Sequence, residues 1–231
     1  MKQPVFLLAG GRPRGRDTTD QLIRSVLDES GKDSPSIAYT GTASGDDSNF
    51  FSRMAGMLKM SGAGTITHAV IAPNNADLNK VRDILQAADI IFVGGGDVDS
   101  GMRVLKKKNM LPFLEELYQQ GKVFFGTSAG AIMLAKEWVR WTDPDDPDSA
   151  EIFPCLNYAP VICDCHDEEG GWQELVAALE LKEIDTIGYG LSSGTGIKVY
   201  SDGSVEALAD PVHRYVRKPD GIKKIADLPR Q

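Results

Sequence analysis

The run Phe124-Phe125-Gly126-Thr127-Ser128-Ala129-Gly130-Ala131 admits few backbones. It begins as an apolar strand, breaks at glycine and passes straight into an apolar helical stretch, Ala131-Ile132-Met133-Leu134-Ala135. The spacing is G-x-S-x-G, that of a nucleophile elbow. A serine held at so tight a strand-to-helix turn occupies sparsely populated backbone space, and its neighbours must be small. Its hydroxyl is then presented at a helix start, where unpaired N–H groups can meet a developing oxyanion.

Short apolar runs alternate with helical stretches before the elbow. Strands are predicted over 5–9, 36–40, 65–72, 90–93 and 123–125, and helices over 19–29, 49–60, 76–87 and 110–120. Alternating βα units predict an α/β fold, a mostly parallel sheet layered between helices. Ligands of such sheets bind beyond the carboxyl ends of the strands, so the loops at 10–16, 41–48 and 94–99 join the elbow as candidate site elements. After residue 141 the pattern changes. The polar run 142–149 reads as a surface excursion, with too few strands after it for a second core. A strand at 161–163, a helix at 172–181 and strands at 184–188, 196–200 and 205–208 are expected there. Asp202-Gly203 signals a hairpin between the last two. The whole chain, 1–231, is expected to be a single domain.

Composition narrows the function. Net charge is −8 and pI about 4.9, which argues against nucleic acid or an anionic membrane as partner. No apolar stretch has the length to span a bilayer, and no cleavable leader pattern is visible, so a cytoplasmic protein is expected. Cys155, Cys163 and Cys165 are too few and too odd for a disulfide framework. The C-x-C-H at 163–166 lacks the second pair of a zinc site. Gly94-Gly95-Gly96-Asp97 fits neither the dinucleotide fingerprint nor the P-loop. No metal and no cofactor are expected, and the glycine loop is better suited to supply oxyanion N–H donors.

A serine nucleophile needs a base. His68 lies within a predicted strand and reads as structural; His213 reads as a surface histidine. His166 ends the predicted strand Val161-Ile162-Cys163 and opens a loop, where a catalytic base belongs in a sheet-based site. An esterase of the α/β-hydrolase type would instead use the order Ser128, Asp185, His213.

Together, Gly126-Thr127-Ser128-Ala129-Gly130-Ala131, Val93-Gly94-Gly95-Gly96-Asp97 and Gly188-Tyr189-Gly190-Leu191-Ser192-Ser193-Gly194-Thr195 resemble the serine peptidases of the dipeptidase E and cyanophycinase family, over nearly the whole chain. The resemblance implies a three-layer sandwich like the class I glutamine amidotransferases (flavodoxin-like), with a C-terminal β-hairpin region. It implies hydrolysis of small peptides containing aspartyl residues, without metal or cofactor, and leaves room for a homodimer. Ser128 matches the family nucleophile and His166 its base, while Gly95 or Gly96 with the Ala129 N–H match the oxyanion hole. The third member departs from the pattern. Where the cyanophycinase branch carries glutamate, this chain has Ser192 and Ser193. The dipeptidase branch places an aspartate some fifteen residues after the nucleophile, where Asp143 stands here. Asp143 and Ser193 are therefore the candidate orienters of His166. Relatives that take aspartyl substrates carry arginines soon after the histidine, and the stretch 167–174 has none. Asp97, Arg12, Arg14 and Arg16 remain as candidate substrate contacts. The acids beside His166 point the other way, to a cationic or neutral substrate. The weakened triad also admits a non-enzymatic reading, a binding or regulatory module.

Overall fold

The computed structural model describes residues 2–11, 18–143 and 145–230. Among them, seven strands form one sheet in the order Val205–Leu208, Gly196–Val199, Val5–Leu8, Val123–Thr127, Ile90–Val93, Ile37–Thr40 and Ile66–His68. Its parallel part is β1 (Val5–Leu8), β2 (Ile37–Thr40), β3 (Ile66–His68), β4 (Ile90–Val93) and β5 (Val123–Thr127). Helices α1 (Thr18–Glu29), α2 (Ser48–Met60), α3 (Leu78–Ala87), α4 (Val98–Lys107) and α5 (Leu111–Gln119) connect these strands. Beyond β5 come α6 (Ala129–Leu134), the hairpin β6 (Glu137–Trp141) and β7 (Ala150–Pro154), then β8 (Ile162–Cys165), α7 (Gln173–Glu180) and β9 (Ile187–Leu191). Strand β10 (Gly196–Val199) extends the edge of the large sheet antiparallel to β1, and β11 (Val205–Leu208) pairs antiparallel with β10. The chain closes with the hairpin β12 (Val212–Lys218) and β13 (Gly221–Leu228).

Both faces of the large sheet are dry, as a parallel sheet requires. Alternate residues of a strand point to opposite faces. Accordingly, Val5, Leu7, Ile91, Val93 and Phe124 join one apolar cluster, while Phe6, Leu8, Ile90, Phe92, Val123 and Phe125 join the other. Burying each such side chain contributes roughly 1.5–3 kcal/mol.

The structure differs from the sequence reading in instructive places. Strand β3 stops at His68, short of the expected 72, because the Ile71 and Ala72 N–H groups leave the sheet for the carboxylate of Asp46, each at 2.7 Å. Strand β9 begins at Ile187 rather than 184, because Asp185 takes a positive φ of 69° and makes a turn. Residues 98–107 form a helix, capped by Asp97, where the sequence reading ended a loop at 99 and placed no further element before 110. The strands after residue 141 are also more numerous than expected. β13, β12, β9 and β8 build a second sheet, and Val139, Ile162, Trp172, Leu175 and Leu179 pack into a cluster of their own. The two sheets are joined by the short turn between β9 and β10, where Gly194 N–H donates to Gly10 O at 2.8 Å and Ala9 N–H to Thr195 O at 2.9 Å.

Asp46 ties together the loops beside the site. Its side chain is fully buried and accepts from Gly41, Ile71 and Ala72 N–H while pairing with His68 Nε2 at 3.1 Å. Burial opposes the anion, but His68 and the three amides outweigh it and hold the carboxyl below its ordinary range. Its stabilisation is therefore complete above about pH 4 and is lost as pH falls through the lower folded value. Asp46→Ala strands three buried N–H groups and His68. Urea denaturation should show a loss of about 3–5 kcal/mol; a loss under about 1 kcal/mol would refute the role given to Asp46.

Candidate active site

Ser128 stands between β5 and α6 with φ 53° and ψ −125°. This conformation is costly for any residue with a side chain. Two close approaches fix it. A Cβ on Gly126 would lie 2.3 Å from Gly130 O, and a Cβ on Gly130 would lie 2.0 Å from Val93 O. Only glycine fits at either end of the motif, and the elbow is thereby locked against the end of β4. The Ser128 N–H donates to Leu8 O at 2.9 Å, anchoring the bend to β1 as well.

The glycine loop after β4 flanks the hydroxyl. A Cβ on Gly95 would fall 3.3 Å from Ser128 Cβ and 3.8 Å from Oγ. The N–H groups of Gly95, Gly96 and Ala129 have no hydrogen-bond partner among the described residues. They are the expected oxyanion donors, and the fold gathers them around Ser128.

His166 follows β8 of the smaller sheet and also takes a positive φ, 65°. It lines the same cavity as Ser128, about 430 Å³, with Gly96, Asp97, Ala129 and Trp138 among the other walls. Its Nδ1 meets Ser193 Oγ at 3.1 Å. No hydrogen bond joins Ser128 Oγ to the imidazole among the described residues. Catalytic hydrogen bonds of substrate-free sites are often long and tighten only when substrate binds. Desolvation lowers the pKa of His166 below its ordinary value, against the charge of Glu168 and the Ala9 carbonyl, which raise it. The shift favours the neutral imidazole, the form a base needs.

Ser193, one of the two candidate orienters, is in contact with the histidine. Asp143 is not brought to the cavity: it lies exposed in the β6–β7 turn, where its backbone bonds Ser149 and its carboxylate accepts from Asp145 N–H. A carboxylate that the sequence reading did not single out stands behind Ser193 instead. Glu168 Oε1 accepts from Ser193 N–H at 3.1 Å, and its carboxylate is held below the ordinary range, burial opposing the anion while hydrogen bonds from Ser193 outweigh it. A carboxylate two residues after the histidine is the signal that was available.

Asp97 lines the cavity while capping α4 through Ser100 N–H at 2.8 Å. Arg12, Arg14 and Arg16 lie outside the described residues. The esterase set does not assemble: Asp185 pairs with Lys218, His213 pairs with Asp227 Oδ2 at 3.1 Å, and neither lines the Ser128 cavity. His68, stacked on Phe51 and paired with Asp46, is structural. No group of three or more potential metal ligands occurs among the described residues, and none of their helices is long and apolar enough to cross a membrane.

Comparison with known proteins gives likenesses of three kinds. The sequence model of peptidase family S51 matches residues 5–207. The protein named uncharacterized peptidase YgaJ of Bacillus subtilis is 29% identical over 147 residues, which cover 64% of this chain and 61% of that one. Peptidase E of Pasteurella multocida is 25% identical over 160 residues, 65% of this chain and 64% of its own. The match thus spans less than two thirds of the length of these relatives. The crystal structure of a peptidase from an acI-B1 actinobacterium superposes with a TM-score of 0.67 at 15% identity, covering 99% of this chain and 97% of that one. It supports the fold, a mostly parallel central sheet layered between helices.

Proposed function

The chain belongs to peptidase family S51, and from that premise we propose that it is a serine hydrolase that cleaves small peptides through an acyl-enzyme on Ser128. The observation that carries this reading is the sharing of one cavity by a serine hydroxyl on a strained backbone, the unpaired N–H groups of Gly96 and Ala129 and the imidazole of His166, with Gly95 packed beside Ser128. His166 takes the Ser128 proton as Oγ bonds to the scissile carbonyl carbon. The carbonyl electron pair moves to oxygen, where the Gly95, Gly96 and Ala129 N–H groups receive it. The intermediate collapses by breaking the C–N bond, and His166 returns the proton to the leaving amine. Water then clears the acyl group by the same steps.

Ser193 and Glu168 do the work of the missing triad carboxylate in this scheme. A carboxylate only accepts, so the Ser193 hydroxyl donates to Glu168 and turns a lone pair to Nδ1–H of His166. That leaves Nε2 with the lone pair needed for the Ser128 proton. A hydroxyl stabilises the imidazolium less than a direct carboxylate, and the Glu168 charge behind it supplies the remainder. The substitution of Ser193 for a carboxylate is also what favours the second reading, a family member retained as a binding module.

Labelling by a fluorophosphonate separates the two. Ser128 should react, and His166→Ala should abolish the reaction. Because burial lowers the His166 pKa, the rate should reach half its plateau below pH 6.5. Glu168 raises that pKa, so Glu168→Gln should move the midpoint further down and slow the plateau. No labelling of Ser128 at any pH from 5 to 9 would leave the binding module standing and remove the hydrolase.

A further inference from the structure

We propose that the Ser128 cavity receives the cationic side chain of a lysine or arginine on the acyl side of the scissile bond, seated against the carboxyl group of Asp164. The inference rests on the hydrolase reading above and adds its specificity. Four carboxyl groups line the cavity: Asp97, Asp164, Asp167 and Glu174. No lysine or arginine stands among its described walls. Each of the four accepts at least one protein hydrogen bond. Asp97 caps α4, Asp167 Oδ2 accepts from Gln173 N–H at 2.7 Å, and Glu174 Oε2 accepts from Trp138 Nε1–H at 2.6 Å.

Asp164 differs from them. It is 4% exposed; Oδ1 accepts from Cys165 N–H at 2.7 Å and the Leu175 N–H also favours its anion, while the buried Oδ2 lacks a hydrogen-bond partner of good geometry. Buried polar atoms are nearly always satisfied, and the exceptions call for a ligand or a role. Burial and the Glu174 charge push the Asp164 carboxyl up to about 7. Burial, with Asp167 and Asp97, raises Glu174 too. An entering cation relieves this like-charge crowding. An aspartyl side chain would add a further carboxylate to the same walls.

Size and lining favour a side chain over an α-ammonium. The cavity of about 430 Å³ far exceeds the space around one amine. Val98, Ile132 and Trp138 offer apolar surface on which a four-carbon or guanidino stem can lie, with its head in the acidic end.

The test is binding to the full chain carrying Ser128→Ala, which does not depend on turnover. Calorimetric titration would use Lys-Ala, N-acetyl-Lys-Ala, Ala-Ala and Asp-Ala. N-acetyl-Lys-Ala and Lys-Ala should each bind about tenfold or more tightly than Ala-Ala and Asp-Ala. Adding Asp164→Asn and Glu174→Gln should bring the four within about threefold of one another. The proposal is overturned by equal or tighter binding of Asp-Ala, whether or not it depends on Arg12, Arg14 and Arg16. Loss of all affinity on acetylation, or no measurable binding of any of the four, overturns it as well. Fluorophosphonate reactivity of the unmodified protein is scored separately: a labelled Ser128 without lysine preference fails the specificity alone, and an unlabelled Ser128 with lysine preference fails the hydrolase alone.

Discussion

Replacing Ser128 by glycine should give a protein that is both more stable and inert. The serine is held at φ 53° and ψ −125°, a strain of about 1–3 kcal/mol for a residue with a side chain. Glycine adopts such a conformation freely, at a cost near 1 kcal/mol in unfolded-state entropy. Nothing else is lost, since the Ser128 side chain makes no capping hydrogen bond to α6. The balance is a gain of about 1 kcal/mol, or a rise of roughly 2–4 °C in Tm for a chain of this size. Peptide hydrolysis should fall by roughly four to six orders of magnitude, because the nucleophile is gone while the oxyanion donors remain. Differential scanning calorimetry and a product assay on one preparation read both effects. A lower Tm would show that the elbow is unstrained; retained turnover would show that Ser128 is not the nucleophile.

Gly130→Ala should be as damaging as a single methyl group can be. The added carbon would sit 2.0 Å from Val93 O and 2.7 Å from Gly94 O, both backbone atoms at the end of β4. No rotamer change can relieve that contact, so α6 must move away from the sheet and carry Ser128 with it. Overpacking of this kind costs about 3 kcal/mol or more, which corresponds to a Tm lower by roughly 6–12 °C. Gly56→Ala, in the middle of α2 with nothing within 4 Å of the new Cβ, serves as the matched control. There the same change should stabilise by about 0.5–1 kcal/mol. If the two variants melt together, the packing account of the elbow is wrong.

The features legible in the sequence are those with a local cause. The run Ile90-Ile91-Phe92-Val93 is apolar on both faces because both faces are covered, and the elbow declares itself through glycines that the backbone needs. Helix α4 was hidden by Gly94-Gly95-Gly96 just before it and by Gly101 within it; Gly101 is small because the Met133 thioether lies against it. The hairpin β6–β7 alternates Glu137-Trp138-Val139-Arg140-Trp141, but its two strands are separated by the turn-rich acidic run and end in Pro154. β12 and β13 could have been paired from Asp220-Gly221, the same turn signal as Asp202-Gly203. The partner of His166 was only half visible. Ser193 lies 27 residues further along the chain and reaches the ring through a turn between two sheets. Glu168 reads as one more exposed acid until that turn places an amide and a hydroxyl against it. The burial of Asp164 likewise depends on α7 folding over β8, a contact that no local pattern announces.

Ser128 rides on the large sheet and His166 on the small one, and residues 192–195 form the seam between them. In the proposed mechanism the proton donor and acceptor are therefore mounted on separate slabs, and their spacing is a property of how those slabs are docked. Side chains along the seam, such as Thr195 and those packed behind β8, set the alignment of the reaction without meeting the substrate. Tuning of turnover in this architecture has a mechanical route that leaves every reacting group in place.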